Sequence, residues 1–246
     1  MKKLVAYITT GYPELSFTKE LALSLGEAGV DMLELGIPFS DPVADGPIIE
    51  QANLLSLQNG FKTSDLFQVS KEISGAIDTL WMGYFNSFYH HGFENFSKIA
   101  KECGVSGFII PDLPFEEAQS YLDIMKSLDM ALINFVAPTH DKKRIAKVAK
   151  DAKKFIYLVA YAGITGTGTE ESLDAIIADI RAVSKTPIYL GFGVNEKNAK
   201  EKSQDVDGVI VGSAFVKVLL DDTLNYTQKI TKISAMAKGI KEDINS

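Results

Sequence analysis

Leu33-Glu34-Leu35-Gly36-Ile37-Pro38-Phe39-Ser40-Asp41-Pro42-Val43-Ala44-Asp45-Gly46-Pro47 contains a strand, its exit and the loop that follows. Residues 31–35 alternate polar and apolar positions, and Gly36 and Pro38 end the run. A polar loop punctuated by glycine and proline comes next, and residues 48–57 then read as an amphipathic helix. The unit is therefore strand, loop, helix. Three acids lie in it: Glu34, Asp41 and Asp45. A carboxylate near the end of a strand built of Leu and Met is costly unless it has a partner or a task. A second carboxylate eleven residues on, between Ala44 and Gly46, can be aimed back at the same spot. Two carboxyls in different surroundings are a standard way to run acid and base chemistry at neutral pH. The plainer alternative is an Asp-Pro and Asp-Gly turn with a strand acid that only caps or pairs.

The same unit recurs along the chain. Strands are predicted at residues 4–9, 31–35, 79–84, 107–110, 131–136, 155–160, 187–190 and 208–211. Helices are predicted at 17–28, 48–57, 64–77, 94–103, 116–128, 142–152 and 170–184, with a short one from 196 and a tail at 215–240. Eight strand–helix units with nearly continuous apolar strands point to the α/β class and a closed parallel (β/α)8 TIM barrel. An open doubly wound sheet is the alternative. It is disfavoured because no Gly-x-Gly-x-x-Gly follows the first strand. No linker or low-complexity boundary interrupts the pattern, so 1–246 reads as a single domain.

The net charge of −7 argues against a general binder of nucleic-acid backbone. Arg144 and Arg181 are the only arginines, so a phosphate site must use backbone N–H groups or lysine. The single cysteine, Cys103, rules out an internal disulfide and suits a reducing compartment. The apolar run after Met1-Lys2-Lys3 is too short for a signal peptide, and no stretch reaches membrane-span length. A cytoplasmic protein is expected. His90, His91 and His140 lack metal-ligand spacing, and no zinc motif, nucleophile elbow or dinucleotide fingerprint is present, so no metal and no cofactor is expected in this chain.

In such barrels the active site lies at the C-terminal ends of the strands. The sequence loads that end with Glu34 to Asp45, Tyr84-Phe85-Asn86, Pro111-Asp112, Pro138-Thr139, Gly191-Phe192-Gly193 and Gly212-Ser213. Loops after the last two strands form the recurrent phosphate site of this fold, which suits Gly191, Gly193, Gly212 and Ser213. The sixth loop interleaves Gly163, Gly166 and Gly168 with Thr165, Thr167 and Thr169, and reads as a closing lid whose Gly166 N–H reaches the phosphate. A loop of no consequence is the alternative. Trp81 and Met82 read as barrel filling. The strands offer only Lys3, at the wrong end, so carbon–carbon cleavage would proceed by acid–base and not Schiff-base chemistry.

These stretches, together with Pro111-Asp112-Leu113-Pro114 and Gly163-Ile164-Thr165-Gly166, resemble the tryptophan synthase alpha subunit family over nearly the full length. The resemblance implies reversible retro-aldol cleavage of indole-3-glycerol phosphate to indole and glyceraldehyde 3-phosphate. It puts the family's catalytic glutamate on Glu34, its aspartate on Asp45 and its active-site tyrosine on Tyr157. Tyr7 and Met82 fall on positions flanking the indole, and Thr165, Gly166, Gly193, Gly212 and Ser213 on substrate- and phosphate-binding positions. It further implies a pyridoxal-phosphate β subunit as partner, in an αββα heterotetramer. Pro38, Phe39, Ser40, Asp41, Pro42, Asn86, Asp112, Leu113 and Pro114 are the candidate contacts. The chain departs from the family in two places. It starts almost at the first strand, leaving little room for a helix across the barrel bottom. It also has Ala160-Tyr161 where members often carry Ser-Arg. The alternatives are a standalone lyase of the same substrate, another phosphate-binding barrel enzyme, or a barrel that mainly activates a partner.

Overall fold

The computed structural model of the chain describes residues 1–160 and 173–246. The chain runs β1 (Lys3–Thr9), α1 (Leu15–Glu27), β2 (Met32–Gly36), α2 (Pro47–Gln58), α3 (Thr63–Ile73), β3 (Asp78–Met82), α4 (Phe85–His90), α5 (Phe93–Glu102) and β4 (Gly107–Ile109). It continues α6 (Phe115–Ala118), α7 (Leu122–Ser127), β5 (Ala131–Leu132), β6 (Asn134–Val136), α8 (Lys142–Ala149), β7 (Ile156–Val159) and α9 (Leu173–Val183). Last come β8 (Ile188–Gly191), α10 (Ala199–Lys202), β9 (Gly208–Val211), α11 (Ser213–Leu219) and α12 (Tyr226–Asp243).

Every strand pairing is parallel, in the order β5-β4-β3-β2-β1-β9-β8-β7-β6. The two ends of that series are separated in the chain by Ile133 alone. One barrel strand therefore serves both edges. Its first half pairs with β4 and its second with β7, while the Ile133 amide still donates to Phe108 O at 2.9 Å. The nine segments are thus the eight strands of a (β/α)8 barrel, and the expected fifth strand, 131–136, is the divided one.

Alternation along each strand sorts side chains into two layers. Val5, Leu80, Ile109, Ala131, Ile133, Phe155, Tyr157, Tyr189 and Ile210 fill the barrel, with Met32 and Met82 against them. Leu4, Ala6, Ile8, Leu33, Leu35 and Phe108 point the other way, into the layer under the helices. On β2 this leaves Glu34 on the inner face, between two outward leucines. Trp81 corrects the sequence reading: it sits outside the barrel and not within it. Its Nε1 donates to Ser70 Oγ of α3 at 2.8 Å, and its ring meets Phe67, Phe96 and Phe108. A buried indole N–H needs an acceptor, and the helix layer supplies one. Met82, one residue on, faces inward as expected.

Several helices are shorter than their patterns suggest. α3 stops at Ile73, before Gly75 in the left-handed region (φ 82°). The expected helix 116–128 breaks into α6, a 3₁₀ turn (Gln119–Tyr121) and α7. The tail is two helices. Asp221 accepts from the Thr223 amide and hydroxyl, and an Asn225/Gln228 capping box starts α12 afresh. The short α4 after β3 is not foreseen by the sequence.

The pole opposite the strand C-termini is tied by aspartates at strand starts. Asp31 accepts from the Leu4 amide at 2.8 Å and pairs with Lys3 and Lys241. Asp78 pairs with Lys154 at 2.6 Å, and Asp207 accepts from the Ile188 amide at 2.7 Å and pairs with Arg181. The Lys2 amide donates to Asn245 Oδ1 at 2.7 Å, so both chain ends meet at this pole. No helix among the described residues is long and apolar enough to cross a membrane.

Candidate active site

The parallel register sets Tyr7 of β1 beside Glu34 of β2, and Glu34 beside Leu80 of β3. Glu34 is 2% exposed, and its Oε1 has no hydrogen-bond partner among the described residues. Burial, reinforced by the charge of Asp45, pushes its pKa up to about 8. At neutral pH Glu34 therefore carries a proton.

Asp45 comes from the loop between β2 and α2 and is held from two sides. Asn53 Nδ2, nearly two turns into α2, donates to Asp45 Oδ2 at 3.3 Å. The Tyr84 hydroxyl accepts the Ala44 N–H at 3.0 Å, and its side chain near the same carboxylate favours the ionised form of Asp45. Burial raises Asp45 to about 6 against the pull of these two side chains. It stays mostly ionised at neutral pH. Two carboxyls on one face of the barrel thus hold opposite protonation states. Asn53 is absent from the sequence-derived site, and Tyr84 appears there only within the Tyr84-Phe85-Asn86 stretch, with no role given to it. Tyr84 is buried at the exit of β3, its ring stacked on Phe39 at 5.3 Å. Asn53 is a buried polar residue on the apolar face of α2, the one signal that could have flagged it.

Tyr7 and Tyr157 stand near the two carboxyls. Both phenols are pushed well above their usual pKa, by burial first and then by the charges of Glu34 and Asp45. All four groups therefore share one electrostatic environment. Tyr7 Oη lies 3.4 Å from Thr9 Oγ1. The Tyr7 ring occupies the space a side chain at Gly36 would need, and the Tyr157 ring does the same at Gly191. Gly191 is read from sequence as giving a phosphate close access. Its structural effect is to make room for Tyr157.

The loops after β8 and β9 follow strands that are neighbours in the sheet. Phe192 and Gly193 both have φ 71°. Gly212 precedes α11, and a Cβ built on it would lie 3.3 Å from Tyr7 Cβ. Ser213 opens α11 and is exposed. The amides of Gly193, Gly212 and Ser213 have no hydrogen-bond partner among the described residues. Thr165 and Gly166 lie outside the described residues.

Of the candidate contact residues, Phe39 is half-buried and Ser40, Asp41, Asn86, Asp112 and Pro114 are exposed. Pro38, Pro42 and Leu113 are buried in this chain, which narrows the surface available to a partner. Asp112 Oδ1 accepts the Phe85 amide at 2.8 Å, tying the loop after β4 to the start of α4. Val43, not among the candidates, is 82% exposed in the loop that carries Asp45. His90 and His91 are exposed and His140 is half-buried.

The fold and the mouth define a (β/α)8 barrel with its ionisable groups at the carboxyl ends of the strands, the arrangement of barrel enzymes. Residues 1–245 match the family model described as Tryptophan synthase alpha chain, and the chain belongs to that family. It is 62% identical to the tryptophan synthase alpha chain of Wolinella succinogenes, over 100% of this chain and 97% of that one. Among solved structures it resembles tryptophan synthase subunit alpha from Campylobacter jejuni (TM-score 0.85, 35% identity, 96% and 95% of the two chains). Mycobacterium tuberculosis tryptophan synthase gives a TM-score of 0.89 at 30% identity, over 100% of this chain and 93% of that one.

Proposed function

We propose that this chain is a carbon–carbon lyase that cleaves indole-3-glycerol phosphate reversibly to indole and glyceraldehyde 3-phosphate. The observation that carries the reading is the pair of carboxyls at the barrel mouth, buried Glu34 raised to about 8 and half-buried Asp45 raised only to about 6, so that the first is neutral and the second ionised. Glu34 delivers its proton to indole C3, making a cationic indolenine. The Asp45 carboxylate accepts the indole N–H and balances that charge as it develops. The bond from C3 to the glycerol carbon then breaks. Its electron pair restores the indole, and the hydroxyl on that carbon becomes the aldehyde as its proton passes back to Glu34. Tyr7, Met82 and Tyr157 enclose the ring. Gly193, Gly212 and Ser213 hold the phosphate through backbone N–H groups and the Ser213 hydroxyl, with Thr165 and Gly166 contributing from the sixth loop.

The chain works as the alpha subunit of a tryptophan synthase, cytoplasmic and without a cofactor of its own. Residues 1–246 act as one domain. Indole passes to a β subunit carrying pyridoxal phosphate in an αββα assembly. The loop from Phe39 to Asp41, with exposed Val43, Asn86, Asp112 and Pro114, forms the contact surface. Pro38, Pro42 and Leu113 support it from beneath. The test is indole release from the purified chain, titrated with its cognate β subunit at saturating substrate. Slow release alone and faster release with β are expected. No release under either condition would overturn the reading, and release that stays flat while a complex forms would favour a standalone lyase.

A further inference from the structure

The Gly193 carbonyl is held by two side chains. Asn198 Nδ2 donates to it at 2.9 Å and Lys202 Nζ at 3.2 Å. Asn198 precedes α10 and Lys202 is its last residue, so one short helix presents both donors. The loop is itself braced, because the Asn195 amide donates to Asn198 Oδ1 at 2.9 Å and the Lys197 amide to Asn195 Oδ1 at 3.0 Å. Phe192 and Gly193 lie consecutively in the left-handed region, a conformation Phe192 adopts only under constraint. In a trans peptide the C=O and N–H point in opposite directions. Fixing the Gly193 carbonyl against α10 therefore aims the Val194 N–H away from it. That N–H has no partner among the described residues.

Lys202 is half-buried and has no carboxylate partner among the described residues. Burial pushes its pKa down, with the neighbouring Glu201 acting the other way. A cation with no carboxylate in contact with it, beside a loop of free amides, gains from an anion on the far side of that loop. A plain helix-end contact would need neither the second donor nor the consecutive left-handed residues.

We propose that Lys202, with Asn198, is a positioning residue for the phosphate of the substrate, clamping the Gly193 carbonyl so that the loop's amides face the anion. The inference rests on the phosphate placement given under the proposed function. Backbone donors bind the phosphate directly; Lys202 fixes the Gly193–Val194 peptide so that the Val194 N–H joins them, and supplies the positive charge that two arginines placed elsewhere do not.

The test compares Lys202→Met, which keeps the aliphatic stem, with Lys202→Arg in the assembled enzyme. Four quantities are read: KM and kcat for indole-3-glycerol phosphate, KM for indole in the reverse reaction, and inhibition by inorganic phosphate. Lys202→Met should raise the substrate KM and weaken phosphate inhibition about tenfold, the scale of one hydrogen bond from a charged donor. The kcat, the KM for indole and the melting temperature should stay near wild type, and Lys202→Arg should recover most of the loss. A substrate KM within twofold of wild type in Lys202→Met would overturn the clamp. So would a loss shared equally by kcat, indole and thermal stability, which marks a merely structural contact. If the wild-type chain releases no indole, the functional reading fails instead. Calorimetric titration of wild type and Lys202→Met with inorganic phosphate then tests the clamp alone, and equal affinities refute it.

Discussion

At the scale of single residues, the proposed chemistry and its pH behaviour both rest on the two carboxyls, Glu34 and Asp45. Glu34→Gln should lower indole formation by about 10²–10⁴-fold, the usual share of a general acid–base group, in a chain that still folds. The same substitution should change stability in a definite direction. Glu34 is raised from 4.5 to about 8 in the fold, so it binds its proton more tightly folded than unfolded. The stability this contributes is fully present below the unfolded value and is lost as pH rises through the folded one. Glu34→Gln should therefore melt higher than wild type by a margin that grows from pH 5 to 8, with an upper bound of about 5 kcal/mol. Parallel melting curves across that range would mean Glu34 is not buried in its neutral form. Tyr84→Phe removes the hydroxyl that lowers the Asp45 pKa, so that pKa should rise further above 6. The acidic limb of the kcat profile should move up by roughly one pH unit, the worth of one hydrogen bond to a charged group. An unmoved limb would detach Tyr84 from Asp45. Glu34 and Asp45 are legible in the sequence because a carboxylate among strand leucines is anomalous on its face. Tyr84 and Asn53 are not, because a tyrosine at a strand exit and an asparagine in a helix look like ordinary core and surface until the loop folds onto them.

At the scale of elements, strands and helices follow from the apolar periodicity, and the misreadings have identifiable causes. Trp81 lies in an uninterrupted apolar run, where periodicity alone does not say which residues face in. The division of the fifth strand at Ile133 has no glycine or proline to announce it. It arises from ring closure, which no local pattern encodes. The tail splits because Asp221 and Asn225 recruit nearby groups, a competition that an averaged helical pattern hides. The glycines that end β2 and β8, Gly36 and Gly191, leave room for the Tyr7 and Tyr157 rings. Gly191→Ala should force the Tyr157 ring out of its seat and destabilise the chain by about 1–3 kcal/mol, the cost of overpacking. Chemical denaturation measures this, and an unchanged midpoint would show that the ring relaxes freely.

At the scale of the whole molecule, the barrel is thinnest where β4 meets β5 and where β8 meets β9, each joined by two paired residues: Gly107 with Ala131 and Phe108 with Leu132, Tyr189 with Gly208 and Leu190 with Val209. By contrast β1 and β2 pair over five positions. The outer apolar layer is also divided, with a separate cluster around β7, β8, α8 and α9 that includes Val148, Ile156, Leu158, Ile176 and Ile180. Amide exchange in β6 and β7 should therefore proceed through a partial opening of lower free energy than in β1 and β2. Native-state hydrogen exchange measures it, and a single opening energy across all strands would refute it. The ring of aspartates at the opposite pole has a practical consequence. Lys2 and Asn245 lie together there, on the face remote from Glu34 and Asp45. An affinity handle, a fluorescent fusion or a surface tether attached at either end emerges on the far side of the barrel. The chain can thus be immobilised by its ends with the substrate entrance and the loops around it left unobstructed.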